Sequence, residues 1–369
     1  MELIVNNRAL SASVSTAFDV RGQEHLVIVA KASWSIPPPG QRPRPLAAPA
    51  FCYSDQYTGE PGLTAMVYGN DFALHKNACD IIFDACAHTP QGKPLRILEV
   101  GFRIGALAKS VRVTGERYWR QRLGIPYLTQ PALFTTMPLH YDLAFGGSLS
   151  RNPKDAAAPI DTYLPNPVGT GWTSKHTRNQ LANQRAPSLE YPTDAITHGQ
   201  GKHRPAALGA IGSHWRQRAQ YAGTMDEHWQ KNIFPFLPED FDERFHQTAP
   251  HDQQMPAPQG GETVILANLV KNRPHIEFLL PAVGPMPVRV LRKNYTTETL
   301  SAHADTVFFE TEKNRFSVVW RSHTPLQKNL REINCVAVGK VSQQWWQSRV
   351  MGTDNCEPCN NQENNGDNL

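Results

Sequence analysis

The sequence predicts a mainly β protein, with antiparallel sheets or a sandwich in two sheet-rich parts, few short helices and long ordered loops. Three observations carry that expectation. Short apolar or alternating runs bounded by Gly, Pro, Asn or Asp recur before residue 130 and again after residue 260. The chain holds 30 Pro and 25 Gly in 369 residues, which supplies turns and interrupts helices. Between the runs there is no series of the roughly 10 to 15 residue helical segments that would join parallel strands.

In order, residues 3–5 read as a short apolar strand. Residues 25–36, HLVIVAKASWSI, alternate so that Val27, Val29, Lys31 and Ser33 share one face and Leu26, Ile28, Ala30, Ala32 and Trp34 the other, the pattern of a half-buried strand. Prolines from Pro37 to Pro45 end it. Further strands are expected at 78–88, 95–104 and 110–113, the last closing at Gly115. Residues 131–260 form a loop-rich bridging part whose long polar tract, up to His203, is expected to lie outside the core. Strand signals return at 262–270, 275–281, 287–294, 305–310, 315–322 and 333–341. The organisation expected is therefore a β-rich part at 1–130, the bridging part at 131–260, a second β-rich part at 261–350 and a disordered, Asn-rich tail at 351–369.

Composition narrows the function classes. Hydrophobic residues make up 40% and charged residues 19%, the balance of a folded chain. A net charge of +4 with Arg and Lys dispersed among acids does not call for a nucleic-acid partner. The N-terminus lacks a basic start followed by an apolar block, and no stretch approaches the roughly 20 apolar residues of a membrane span. Cysteines at 52, 79, 86, 335, 356 and 359 form no dense framework, which fits a reducing cytoplasm.

Residues 218–253 stand out, with one Trp, four Phe, one Tyr and three Pro among closely spaced charges. That mixture suits neither an amphipathic helix nor an alternating strand. Thr224 and Glu227 have the spacing of a capping box for a short helix anchored by Trp229. Burying the rings against sheets made elsewhere is the cheapest arrangement, so Trp229, Phe236 and Phe241 are expected in the structural core, with the segment acting as a clamp. The alternative is a catalytic or metal site formed by Asp226, His228, Glu239, Asp240, Asp242 and His246, which requires a convergence that spacing does not supply.

Other constellations weigh against chemistry. Asp71, His75 and Asp80 have no metal-ligand spacing on an extended segment and read as a solvated turn. Cys356 and Cys359 form a C-x-x-C without a second pair. Arg112, Arg117, Arg120 and Arg122 around Tyr118 and Trp119 suggest a basic aromatic patch, but Glu116 interrupts it. Ala144 to Gly147 lacks the surroundings of a phosphate cradle, and its two Gly suggest a tight turn. There is no nucleophile elbow and no H-E-x-x-H helix. No catalytic residue, cofactor or metal is expected, although a hydrolase or carbohydrate-active enzyme on a β scaffold remains the alternative.

Several stretches together resemble one family. They are NDFALHKNACDIIFDACAHTPQGKP, GERYWRQ, FTTMPLHYDLAFGG, LPNPVGTG, the segment from His214 to Gln254 and GGETVILANL. In this order the chain is similar to the domain-of-unknown-function 2169 family over residues 16–291. The resemblance implies an accessory protein of type VI secretion, a non-catalytic adaptor or chaperone. Its partner would be an effector or PAAR-like tip protein, with the spike protein as a further contact. For docking, the sequence puts forward the adjacent Trp345 and Trp346, which cannot share one buried face.

Overall fold

The computed structural model describes residues 1–47 and 49–353. Most of the expected tail, with Cys356 and Cys359, lies outside the described residues. The frame consists of β1 (Glu2–Val5), β2 (Leu10–Phe18), β3 (Glu24–Ser35), β4 (Cys79–Asp84), β5 (Ile97–Ile104), β6 (Leu107–Thr114), β7 (Thr263–Val270), β8 (Arg273–Leu279), β9 (Met286–Arg292), β10 (Thr297–Glu310), β11 (Arg315–Pro325) and β12 (Ile333–Val338). Among the described residues three short α-helices accompany it, α1 (Arg216–Ala219), α2 (Glu227–Asn232) and α3 (Gln343–Met351). The chain is mainly β, as the sequence predicts.

The larger sheet runs β1-β12-β9-β10-β11-β3-β2, and β4 joins it along the C-terminal half of β10. The smaller runs from a two-residue strand, Leu189–Glu190, through β6, β5 and β7 to β8. The two sheet-rich stretches of sequence do not make separate sheets. β3 pairs with β11 and β5 with β7, so each sheet takes strands from both ends of the chain. Most pairings are antiparallel, but β1 with β12 and β4 with β10 are parallel. Turn-separated runs cannot reveal this, because strand order is set by long-range pairing.

β3 departs from the half-buried reading: nearly the whole strand is buried on both faces. Leu26, Ile28, Ala30, Ala32 and Trp34 enter the main core between the sheets, whereas Val27 and Val29 pack beneath Leu74 and Val319 in a second cluster. The alternation assigned the faces correctly, but the second face is covered by the loop carrying Phe51, Phe72 and Leu74. The core joins the sheets through a ladder of rings. Phe102 packs on Phe83, Phe83 stacks on Phe309 with centroids 4.7 Å apart, and Phe309, Phe316 and Trp34 continue the series.

The polar tract up to His203 is not wholly outside the core: Leu189 joins the main cluster, and Tyr163, Leu181, Ala186 and Ile196 form a further cluster with Trp119 and Phe145; other residues of the bridging part are buried as well. Ala206, Ala207, Leu208, Ala210 and Ile211 are fully or almost fully buried, as are Leu139, Tyr141 and Trp215. Small side chains let this backbone run close against β4, where the Phe83 amide donates to the Leu208 carbonyl at 3.1 Å. The Gly146–Gly147 pair serves a close approach: a Cβ on Gly146, whose φ is +154°, would sit 2.2 Å from the Asn166 carbonyl oxygen. Asn166 in turn donates to the Tyr141 carbonyl at 2.9 Å.

Phe309→Ala is expected to lower the unfolding free energy by about 3–5 kcal/mol in urea titrations, because it opens the ring ladder at its centre. Phe234→Ala, at a position 63% exposed, is expected to stay within about 0.5 kcal/mol of the parent.

Candidate functional site

Covering the outer face of the larger sheet buries charge. Lys31 lies on that face of β3 and meets Asp71 at 3.0 Å. Asp71 also accepts from the Tyr68 hydroxyl at 2.6 Å and the Cys52 amide at 2.7 Å. Lys76 meets Asp80 at 2.8 Å and donates to Thr306 Oγ1 at 2.9 Å. Arg321 on β11 meets Asp305 at 2.5 Å and donates to the carbonyls of Ala73 and Asp71. Asp305 is the extra residue of a bulge in β10, between the pairs Ala304–Trp320 and Thr306–Val319.

Asp71 and Asp80 therefore do not belong to a solvated turn. Both carboxylates are buried and each is matched by a buried lysine, while His75 stays at the surface. Residues 71–78 do turn, as expected, but the turn lies over the outer face of the sheet, so its carboxylates are buried rather than solvated. Among the described residues no group of three or more His, Cys, Asp or Glu is arranged to hold a metal ion.

Asp80 is also the anchor for the inner half of the aromatic segment. It accepts from Gln247 Nε2 at 2.7 Å, the Thr248 amide at 2.8 Å and the Thr248 hydroxyl at 3.1 Å. Gln253 donates to the carbonyls of Ile81 and Leu208 at 2.7 and 2.9 Å. Arg218, itself buried, donates to the carbonyls of Phe245 and Ile211 and lies 5.2 Å from the Phe245 ring centre. Beside these groups, burial pushes His246 down to about 4, with the positive charges of Arg321, Arg218 and Lys76 adding to the effect.

The outer half lies outside the core, which corrects the expectation for its rings. Phe236 is 40% exposed, and Trp229 and Phe241 are half-buried outside the main core. Residues 223–240 form an excursion closed at its neck, where the amide and hydroxyl of Thr224 donate to Asp240 at 2.7 Å each and the Asp242 amide donates to the Tyr221 carbonyl at 3.0 Å. Since Asp240 holds Thr224, the cap of α2 is Asp226, which accepts from the Trp229 amide at 2.9 Å. Trp229 packs edge-on against Phe234 and donates its indole N–H to the Phe236 carbonyl, so the rings stabilise the excursion itself. Phe241 packs with Phe245 and His246 at the base.

The tip rests on the turn between β2 and β3. Phe236 meets Phe18 edge-to-face at 5.3 Å, and a Cβ on Gly22 would sit 3.4 Å from its ring. Phe18, Phe234 and Phe236 are joined through Trp229 into one apolar ridge. Phe18 carried no sequence signal, because β2, LSASVSTAF, alternates small and polar residues without a strong strand pattern.

The remaining sequence candidates do not converge. His228 bonds Asn232 within α2, Glu239 is exposed, Asp242 pairs with Arg244 and His246 faces Glu243 at 3.4 Å. Of the basic patch, Arg112 and Arg117 pair with Glu190, and Trp119 is fully buried. Trp346 is buried on Leu291, Cys335 and Ala337, with the Arg289 guanidinium 5.7 Å from its ring. Trp345 is half-buried beside it. The pair thus fastens α3 to the larger sheet and leaves Trp346 little surface for a partner.

A family model described as an uncharacterized protein conserved in bacteria, DUF2169, matches residues 21–321. No curated protein and no solved structure matches the chain. The matched region includes the three buried ion pairs and the Asp80 anchor, and leaves out β1, β2 with Phe18, the end of β11, β12 and α3.

Asp80→Ala should destabilise the fold by about 3–5 kcal/mol in urea titrations, since it strands Lys76 as an unpaired buried charge and frees Gln247 and Thr248. Asp226→Ala should cost only about 1 kcal/mol, the loss of one exposed cap. Equal small losses from both variants would remove Asp80 as the anchor.

Proposed function

Because the chain belongs to the DUF2169 family of bacterial proteins, we propose that it is a non-catalytic adaptor or chaperone. In this reading it binds and stabilises a type VI secretion effector or PAAR-like tip protein in the cytoplasm and helps load it onto the secretion spike. The observation that carries the reading is the exposed ridge of Phe18, Phe234 and Phe236, where an excursion anchored by buried polar contacts meets the end of β2. Aromatic side chains gathered on a fixed support suit protein recognition, where a few anchors inside a polar rim supply most of the affinity. The acids and amide around the tip, Asp226, Glu227 and Asn232, supply such a rim.

The hydrolase alternative draws less support. It requires carboxylates free to take or give a proton at a substrate, and Asp71, Asp80 and Asp305 are each occupied by a buried cation and further donors. No helix among the described residues is long and apolar enough to cross a membrane.

The test is co-purification with the effector or tip protein encoded beside this chain. Phe234→Ser and Phe236→Ser should melt close to the parent yet lower recovery of the client by about tenfold or more, the loss expected of interface anchors. Trp346→Ala should lower the melting temperature first, because its ring is buried. Parent-level recovery from both Phe variants would refute the ridge as the docking surface.

A further inference from the structure

A small hairpin with a firm base stands apart from both sheets. Its strands, Trp119–Arg122 and Ile125–Leu128, form a two-stranded ladder of their own, and every residue from 120 to 127 is exposed. Residues directly opposite share a face. Trp119 with Leu128 and Gln121 with Pro126 therefore make one face, and Arg120 with Tyr127 and Arg122 with Ile125 the other. The first face roots the hairpin: Trp119 is fully buried in a cluster with Phe145 and Leu181, Leu128 packs against it, and the Trp119 amide donates to the Gln184 carbonyl at 2.9 Å. The second face is open to solvent.

The turn of this hairpin breaks a local rule. Leu123 and Gly124 have φ of +50° and +79°, both positive, as a two-residue type I′ turn requires. Such a turn favours Asn or Asp at its first position, because a bulky side chain enters the left-handed region only at a cost. Leucine stands there instead and is 96% exposed, so packing within the chain does not offset that cost. Ile125 beside it is 69% exposed. A solvated leucine held in an unfavourable conformation at the end of a rooted hairpin points to a contact outside the chain.

Charge narrows what that contact is. From Arg117 to Tyr141 the sequence holds no Asp or Glu. Arg117 is neutralised by Glu190, and Glu116 at the root of the hairpin accepts from the Tyr118 hydroxyl. Arg120 bonds the Asn183 side chain, with its guanidinium 5.9 Å from the Tyr118 ring centre. Among the described residues neither Arg120 nor Arg122 has an ion-pair partner. We propose that this hairpin seats the chain on an anionic lipid bilayer, with Leu123 and Ile125 entering the acyl boundary and Arg120, Arg122 and Tyr127 at the level of the phosphates. The order along the hairpin is that of a membrane surface. Aliphatic groups lie at the turn and guanidinium and phenol groups behind them, within about 10 Å at about 3.3 Å per residue, the depth that surface-bound segments reach. A stable protein interface draws on roughly 20–30 residues a side. The hairpin offers the eight exposed residues 120–127 around a turn, which a bilayer accepts without a complementary shape. A nucleic acid would match the arginines and leave the aliphatic turn in water.

This inference stands apart from the adaptor reading, since the hairpin shares no residue with the ridge and no secretion protein enters its test. The whole chain would be floated with vesicles of phosphatidylcholine alone and with vesicles of equal parts phosphatidylcholine and phosphatidylglycerol. Expected is recovery with the anionic vesicles, weaker by about tenfold or more with the neutral ones, because each arginine near a charged surface contributes about fivefold. Recovery should also fall as salt is raised. Leu123→Asn should lower vesicle affinity by about tenfold or more, the change expected when one leucine is withdrawn from an apolar medium. It should melt no lower than the parent, because asparagine suits the turn better. Arg122→Gln, at an exposed position, should fold like the parent and narrow the preference for anionic vesicles by about fivefold. Equal recovery with both vesicles, or parent-like recovery of Leu123→Asn, would overturn the proposal. Absence of recovery with either vesicle would overturn it as well and leave the turn to a protein contact.

Discussion

The structure depends on burying three cations and three carboxylates on the outer face of the larger sheet. Each ion taken from water alone costs several kcal/mol, and a pair recovers that cost only with good geometry and further hydrogen bonds. Lys31–Asp71, Lys76–Asp80 and Arg321–Asp305 have both. Their extra partners come from elsewhere in the chain: Tyr68 and Cys52 for Asp71, Gln247 and Thr248 for Asp80, and the Ala73 carbonyl for Arg321. The loop before β4 and the inner half of the aromatic segment must therefore lie over the sheet. Apolar burial between the sheets supplies most of the driving force, but it does not specify which loop covers the second face. The ions do.

Much of the frame was legible because the strands after residue 260 and β3 carry apolar or alternating runs bounded by turn residues. The alternation in β3 even separated its two faces correctly. What stayed hidden was everything set by long-range contact. The intermixing of N- and C-terminal strands in both sheets, the parallel partnership of β4 with β10 and the second covering of β3 leave no local signature. One residue did carry a signal: Lys31, a charge inside an otherwise apolar run, marks a strand whose second face must supply a carboxylate.

Rings do not by themselves require a core: apolar atoms contribute more than half of a folded protein's surface, and a large side chain can remain outside when its backbone is fixed by other means. Here the fixing is polar. Asp80, Arg218 and Gln253 hold the inner half, the Thr224–Asp240 neck closes the excursion, and Trp229 braces its tip. Arg218, Gln247 and Gln253 could not be singled out in advance, because a polar residue within a charged segment looks solvated until its partners are known. The same reasoning separates Trp346, buried under α3, from Phe234, which is not.

The central proposal is that residues 218–253 divide into a buried polar anchor and an exposed tip that docks a partner. Amide hydrogen exchange, read residue by residue in the free chain and in complex with the effector or tip protein proposed as its partner, tests it most directly. The account predicts slow exchange at Thr248 and Gln253 in both states, and fast exchange across the tip, residues 227–236, that becomes slow only in the complex. A tip already as protected as Thr248 in the free chain, or one that stays unprotected in the complex, would contradict it.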